Sequence, residues 1–169
     1  MAFKPHPNGG GLVEDTAYVA DTAYVGKHAV VSGNAEVYGE ARIYDDARIY
    51  GNAQVYDDAR IYGNAKVYGE ASFRGSAQAY CNAEVYDNAL LYENAKVYDN
   101  AQVFGNAEVF GNAEVYVEAR IYDEAKVYGE AKVYGAAWVY GNAHVYDNKW
   151  VNIGNVGDML RRIDRMEHF

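Results

Sequence analysis

Alanine falls at every sixth position from Ala17 to Ala143, 22 times in succession, without one insertion or deletion. A register kept over that length requires a six-residue unit that stacks on copies of itself, so the repeat decides the architecture before local propensity is consulted. Two residues after each alanine stands an apolar side chain, usually Val or Ile, as at Val19, Val25, Val37, Ile43, Ile49, Val55, Ile61 and Val67; Phe73, Ala79 and Leu91 depart from this. One residue further is Tyr in most copies from Tyr38 to Tyr146, replaced by Arg74, Phe104 and Phe110. A Gly/Asp and Asn/Asp/Glu pair precedes the alanine and a charged or polar residue follows it, so the unit reads G-N-A-x-V-Y.

As a helix this unit fails. Successive alanines would rotate by about 240° and smear the apolar set around the axis. As a strand it works, because alternate side chains face opposite ways: Ala and Val share one face, x and Tyr the other. The Gly-Asn or Asp-Asp pair supplies a corner. Four extended residues and a two-residue corner, repeated, describe a parallel β-solenoid with small Ala at the corners and Val or Ile on the flats. Such a core is thin. That suits a composition in which Leu, Ile, Val and Phe make up only 35 of 169 residues, near the ~20% level where a conventional domain would be suspected of disorder. Proline occurs only at Pro5 and Pro7, so the ladder donors of the repeat stay intact.

The succession of aliphatic, Tyr, corner pair, Ala and polar residue, as at Val37–Arg42 and Val55–Arg60, resembles the hexapeptide repeat of the left-handed parallel β-helix family, from Val13 to about Val151. The resemblance implies an all-β, left-handed, three-sided solenoid with 18 residues per coil and about eight coils. At a strand spacing of ~4.8 Å the prism would be about 38 Å long. The place after the aliphatic is usually small or acidic in that family. Ala20 and Gly26 obey, and from Tyr38 onward it is Tyr.

The ends differ from the middle. Residues 1–11 lack the period and read as a loose, flexible lead-in. The β-helix is assigned to residues 12–152. In residues 153–169, Asp158 precedes Met159, Leu160, Ile163 and Met166, the N-cap and apolar spacing of a short amphipathic helix. A solenoid needs its open apolar end covered, and this segment is the expected C-terminal capping helix.

Residues 18 apart stack on an 18-residue coil, which arranges the aromatic positions in three outer columns. They are Tyr38–Tyr56–Arg74–Tyr92–Phe110–Tyr128–Tyr146, Tyr44–Tyr62–Tyr80–Tyr98–Tyr116–Tyr134, and Tyr50–Tyr68–Tyr86–Phe104–Tyr122–Tyr140. Stacked rings stiffen a rod, and exposed rings invite contacts. All three sides carry them, so they mark no single site. Trp138, His144 and Trp150 take the x position on three successive sides, beside Tyr140 and Tyr146. That makes an aromatic collar, a candidate surface for the returning helix or for a partner.

Net charge is −9, which argues against direct nucleic-acid binding. It leaves open an acidic rod that mimics a nucleic acid to a DNA- or RNA-binding protein, against which cations such as Arg42, Arg60, Lys96 and Lys132 on the flats weigh. No apolar run reaches the ~20 residues of a membrane span. The first residues lack a signal-peptide core, and the single Cys81 fits a reducing compartment, so a cytoplasmic location is expected. The resemblance brings in acyltransferases, which place a histidine in a cleft between subunits of a trimer and interrupt the coils with a loop. Here no loop interrupts the repeat. His6, His28, His144 and His168 have no identifiable orienting partner, and the zinc carbonic anhydrases of that fold need three clustered histidines. The paired Asp45–Asp46 and Asp57–Asp58 offer a weak attraction for a cation. The expectation is a non-enzymatic scaffold without cofactor or metal, making contacts with a protein partner or with itself, with a trimer favoured; a hexapeptide acyltransferase with His144 as base is the enzymatic alternative.

Overall fold

The computed structural model describes residues 2–152 and 154–157. Within them the chain is all-β, with no helix, and winds into a parallel solenoid of three sheets with ten, eight and eight strands. From Leu12–Glu14 to Trp150–Val151 strands pair in parallel with the one 18 residues later, as Arg42–Ile43 with Arg60–Ile61 and then Gln78–Ala79, and the last pair, Trp138–Val139 with Asn155–Val156, is offset by 17. The first face runs through Leu12–Glu14, Val30–Val31, Arg48–Ile49 and Lys66–Val67 to Asn155–Val156. The second runs from Tyr24–Val25 to Trp150–Val151, and the third from Tyr18–Val19 to His144–Val145. The left hand of the coil remains an implication of the repeat resemblance, since strand order is the same for either hand. Of the capping helix expected in residues 153–169, residues 153 and 158–169 lie outside the described residues, and Asn155–Val156 is instead a strand of the first face.

The core is what the period requires. From Ala23 to Val139 every alanine and every aliphatic of the repeat has zero exposure. Three alanines and three larger side chains fill each coil, so there is little room for unequal sizes. One coil breaks the rule twice: Phe73 stands for an aliphatic on the third face, and Ala79 for one on the second, six residues later. Both are fully buried. The extra volume of the ring is offset in the same rung by the loss of two methyl groups. Sequence inspection marks each as an isolated exception; the coil makes them one compensated pair.

The corners carry the sharpest backbone demand. Every first corner residue from Gly33 to Asp147 has positive φ, and nine of them are not glycine. Six of the nine are Asp, which tolerates this region better than most residues. They also do something glycine does not. The carboxylates of Asp45, Asp57, Asp87, Asp99 and Asp123 accept the backbone N–H of Gly63, Gly75, Gly105, Val117 and Gly141, one coil further on, at 2.9–3.3 Å. The acidic pairs singled out in the sequence thus hold coil to coil. Val117 is the outlier, a β-branched residue at φ 65°, where such side chains are strained.

The first residues lack a period and yet are paired. Phe3–Pro5 runs antiparallel to Leu12–Glu14 and extends the first face by one strand. His6 N–H donates to Gly11 O and Gly10 N–H to His6 O, closing the turn between them. The buried Glu14 accepts Gly33 N–H at 2.7 Å, the same coil-to-coil bond that the corner aspartates make.

Two stability predictions come from the rung and the corner. Phe73→Val and Ala79→Val are each expected to cost about 1–3 kcal/mol, one through a cavity and the other through overpacking. The double variant should be more stable than either single one, with about 1–3 kcal/mol of favourable coupling in urea denaturation; additive losses would contradict a shared rung. Val117→Gly should stabilise by up to about 1 kcal/mol through relief of strain. Asp57→Ala should destabilise by about 1–2 kcal/mol, since it removes the acceptor of Gly75 N–H.

Candidate functional site

The three aromatic columns form in register. In the second-face ladder, Tyr44 to Tyr134, successive ring centroids lie 4.8–5.1 Å apart with planes within 8° of parallel. The first-face ladder continues through Phe104 to Tyr140 without a break. The third is interrupted at Arg74, whose guanidinium lies 5.6 Å from the centre of the Tyr56 ring, and resumes at Tyr92–Phe110. The spacing is set by the strands, and each ring covers the faces of its neighbours. From Tyr38 onward the ladder rings are therefore half-buried rather than exposed, which corrects the expectation of freely exposed aromatic ladders. Hydroxyls reach one coil on: Tyr92 donates to Glu108 at 3.1 Å and Tyr98 to Glu114 at 3.4 Å.

The heads of the ladders show how the rings begin. At Ala20, Gly26 and Ser32 the ladder position is small. Tyr18, two residues before Ala20, leans across and meets Tyr38 at 4.9 Å and 35°. Tyr24 lies over Gly26, where a β-carbon would come within 3.4 Å of its ring. Tyr18 thus closes one head from the x position, and Tyr24 sits beside a second. Sequence reasoning missed this, though a Tyr placed two residues before a small residue is the available signal.

The collar residues occupy the expected coil but not one patch. Trp138 and Tyr140 lie on the first face, His144 and Tyr146 on the third, and Trp150 on the second. Each x residue sits edge-on to the ladder ring one coil back: Trp138 to Tyr122 at 6.5 Å, His144 to Tyr128 at 6.0 Å, Trp150 to Tyr134 at 6.5 Å. Cations cover the outer aromatic faces, with Arg120 over Trp138, Lys132 over Trp150 and Lys149 over Tyr146. Trp150 remains 66% exposed and Trp138 39%. Among the described residues no group of three or more His, Cys, Asp or Glu stands where it would hold a metal ion. His28 is exposed at an early corner, His6 is buried in the N-terminal turn, and Cys81 is exposed at a corner. His168 lies outside the described residues.

Charge on the flats is locally matched. Lys66 pairs with Glu84 at 2.8 Å and Lys126 with Glu108 at 2.8 Å, while Glu114 stands between Lys96 and Lys132 at 3.6 and 3.4 Å. These pairs are partly exposed and each adds little stability. Burial, with the glutamates of these pairs beside it, raises the pKa of ladder tyrosines. Burial, joined by Glu84, pushes Tyr68 up to about 12. Burial and the neighbouring Tyr62 do the same to Tyr80. Burial and the hydrogen bond to Glu108 do so to Tyr92, and Tyr98, beside Glu114, is raised further. A folded pKa above the unfolded value of ~10 stabilises the fold below pH 10, and that contribution is lost as pH climbs through the folded pKa. The rod should therefore lose its strand signal between pH 10 and about 12, with tyrosinate absorbance at 295 nm rising in the same interval. Titration centred at pH 10 with the strand signal intact would contradict this.

Compared with known proteins, residues 41–57 and 53–69 match the YdcK β-solenoid repeat. No curated protein matches the chain. Among solved structures, Francisella novicida UDP-N-acetylglucosamine acyltransferase is similar at 15% identity and a TM-score of 0.43, over 79% of this chain and 60% of that one. At that distance nothing about activity passes from one to the other. Period, sheet pairing and the repeat match over residues 41–69 together describe a parallel β-solenoid built on a six-residue repeat.

Proposed function

We propose that the chain is a non-catalytic β-solenoid scaffold that works through protein contacts, with another protein or a second copy of itself, made at Trp138, Tyr140, His144, Tyr146 and Trp150. The observation that carries this reading is the exposure of Trp150, 66%, on a rod whose ladder rings are otherwise half-buried. Tryptophan is costly to leave in water and is enriched where partners bind most tightly. The edge-on packing against Tyr134 and the Lys132 ammonium 5.6 Å from its ring centre hold Trp150 in place before any partner arrives. That reduces the entropy lost on binding.

Two features weigh against the alternatives. His144 faces Tyr128 edge-on and has no carboxylate or carbonyl among the described residues to orient it as a base. Five corner aspartates spend their carboxylates on the backbone of the next coil, which favours a structural use of the acids over mimicry of phosphates.

The test is association of the full-length protein, read by sedimentation velocity and by photo-crosslinking from position 150 in the cell of origin. Trp150→Ala should weaken the complex by about thirtyfold, the equivalent of about 2 kcal/mol, with the melting temperature unchanged. A complex indifferent to Trp138→Ala and Trp150→Ala, or acetyl transfer from acetyl-CoA that disappears in His144→Ala, would overturn the reading.

A further inference from the structure

We propose that the open head of the first-face ladder is a binding site for a phosphate group. Tyr18 meets the first ring of the third-face ladder, and Tyr24 lies over Gly26 at the head of the second. On the first face the residue two before the small Ser32 is Val30, and no ring fills the place. What remains is an open depression of about 390 Å³ lined by Val30, Ser32, Arg48, Tyr50 and Lys66. Its donors converge without an acid among them: a guanidinium, an ammonium and two hydroxyls.

The charge arrangement is the second observation. Arg48 and Lys66 stand directly opposite each other on paired parallel strands, a like-charge contact that costs stability. Further along the flats, lysines are answered by glutamates, as in Lys66–Glu84, Glu108–Lys126 and Lys96–Glu114–Lys132. Arg48 has no carboxylate within salt-bridge distance among the described residues, and Glu84 meets Lys66 from the coil on the far side. Arg48, a cation without a carboxylate partner beside a Lys66 held by Glu84 at 2.8 Å, is what an anion bound at the rim of the depression would complete. The planar fork of Arg48 offers paired N–H donors, Lys66 adds a point charge, and Ser32 and Tyr50 offer neutral donors. That set suits a dianion with several acceptor oxygens better than a single carboxylate. The depression of about 430 Å³ on the second face, beside Arg42 and Arg60, is a weaker candidate because of what else lines it. Glu40 lines it, and the Asn8 amide and Thr22 hydroxyl there already donate to backbone carbonyls.

The experiment is an NMR titration of the full ¹⁵N-labelled chain at constant ionic strength. Inorganic phosphate, glucose 6-phosphate and phosphatidic-acid vesicles serve as separate probes, to distinguish the free ion, a phosphorylated small molecule and a lipid headgroup. Saturable shifts should centre on Ser32, Arg48, Tyr50 and Lys66 with at least one probe. The pair Arg48→Ala and Lys66→Ala should weaken binding at least tenfold, while Lys126→Ala on the third face should not. Ser32→Tyr should also abolish binding by completing the ladder, with the melting temperature kept or raised, which separates loss of the site from loss of the fold. Shifts spread evenly over all cationic positions, binding indifferent to Arg48 and Lys66, or no saturable shift with any probe would overturn the proposal.

Discussion

Each coil is held to the next by backbone hydrogen bonds that recur on each face, within the paired strands and beside them. Arg42 N–H donates to Ala59 O at 2.9 Å, Tyr44 N–H to Ile61 O at 3.1 Å, and Asp46 N–H to Gly63 O at 2.9 Å, and the pattern recurs along the rod. A one-residue insertion would displace them and turn the apolar set outward, which is the physical reason for an unbroken six-residue period. At the first corner residue the N–H has no such partner among the described residues, and at five corners an aspartate one coil back supplies its acceptor. Polar side chains add to the same stacking, as in the Asn64–Asn82–Asn100 amide ladder at 3.1 Å.

Because the backbone fixes the spacing, side chains can vary only within a rung. Inside, Phe73 is tolerated because Ala79 makes room in the same coil. Outside, rings at the strand spacing stack whether or not a partner exists, so ladders of half-buried tyrosine are first a structural consequence of the repeat. Departures from the ladder are therefore the informative places. Arg74 interrupts one column, Ser32 leaves one head open, and the last full coil replaces charged x residues with Trp138, His144 and Trp150. The functional proposals rest on such departures, since a feature repeated on every side distinguishes no place.

Much of this was legible in the residues. Ala17 to Ala143 and the aliphatic two positions later define the three sheets, the register of 18 and the core, because strand periodicity converts directly into inside and outside. The positions of the collar residues followed from the same count. The compensation between Phe73 and Ala79 did not, since it depends on how a coil closes across its interior. Nor did the forward reach of Asp57 to Gly75, the leaning of Tyr18 onto Tyr38, or the pairing of Phe3–Pro5 with Leu12–Glu14. These are set by side-chain direction and by distances between segments without a repeat. The exposure of Trp150 compared with the ladder rings likewise had no sequence signal, because every x position looks alike until its neighbours one coil away are known.

Hydrogen exchange at the corners tests the central claim, that stacked backbone hydrogen bonds and forward-reaching aspartates hold the coils together. Measured by NMR on the intact chain, the amides of Gly63, Gly75, Gly105, Val117 and Gly141 should exchange slowly, each having an aspartate one coil back. Those of Gly51, Gly69 and Gly129, preceded one coil back by glycine, should exchange faster, within a rod whose x and Tyr amides are uniformly protected. Equal exchange at the two sets of corners, or protection without a six-residue period, would contradict the account.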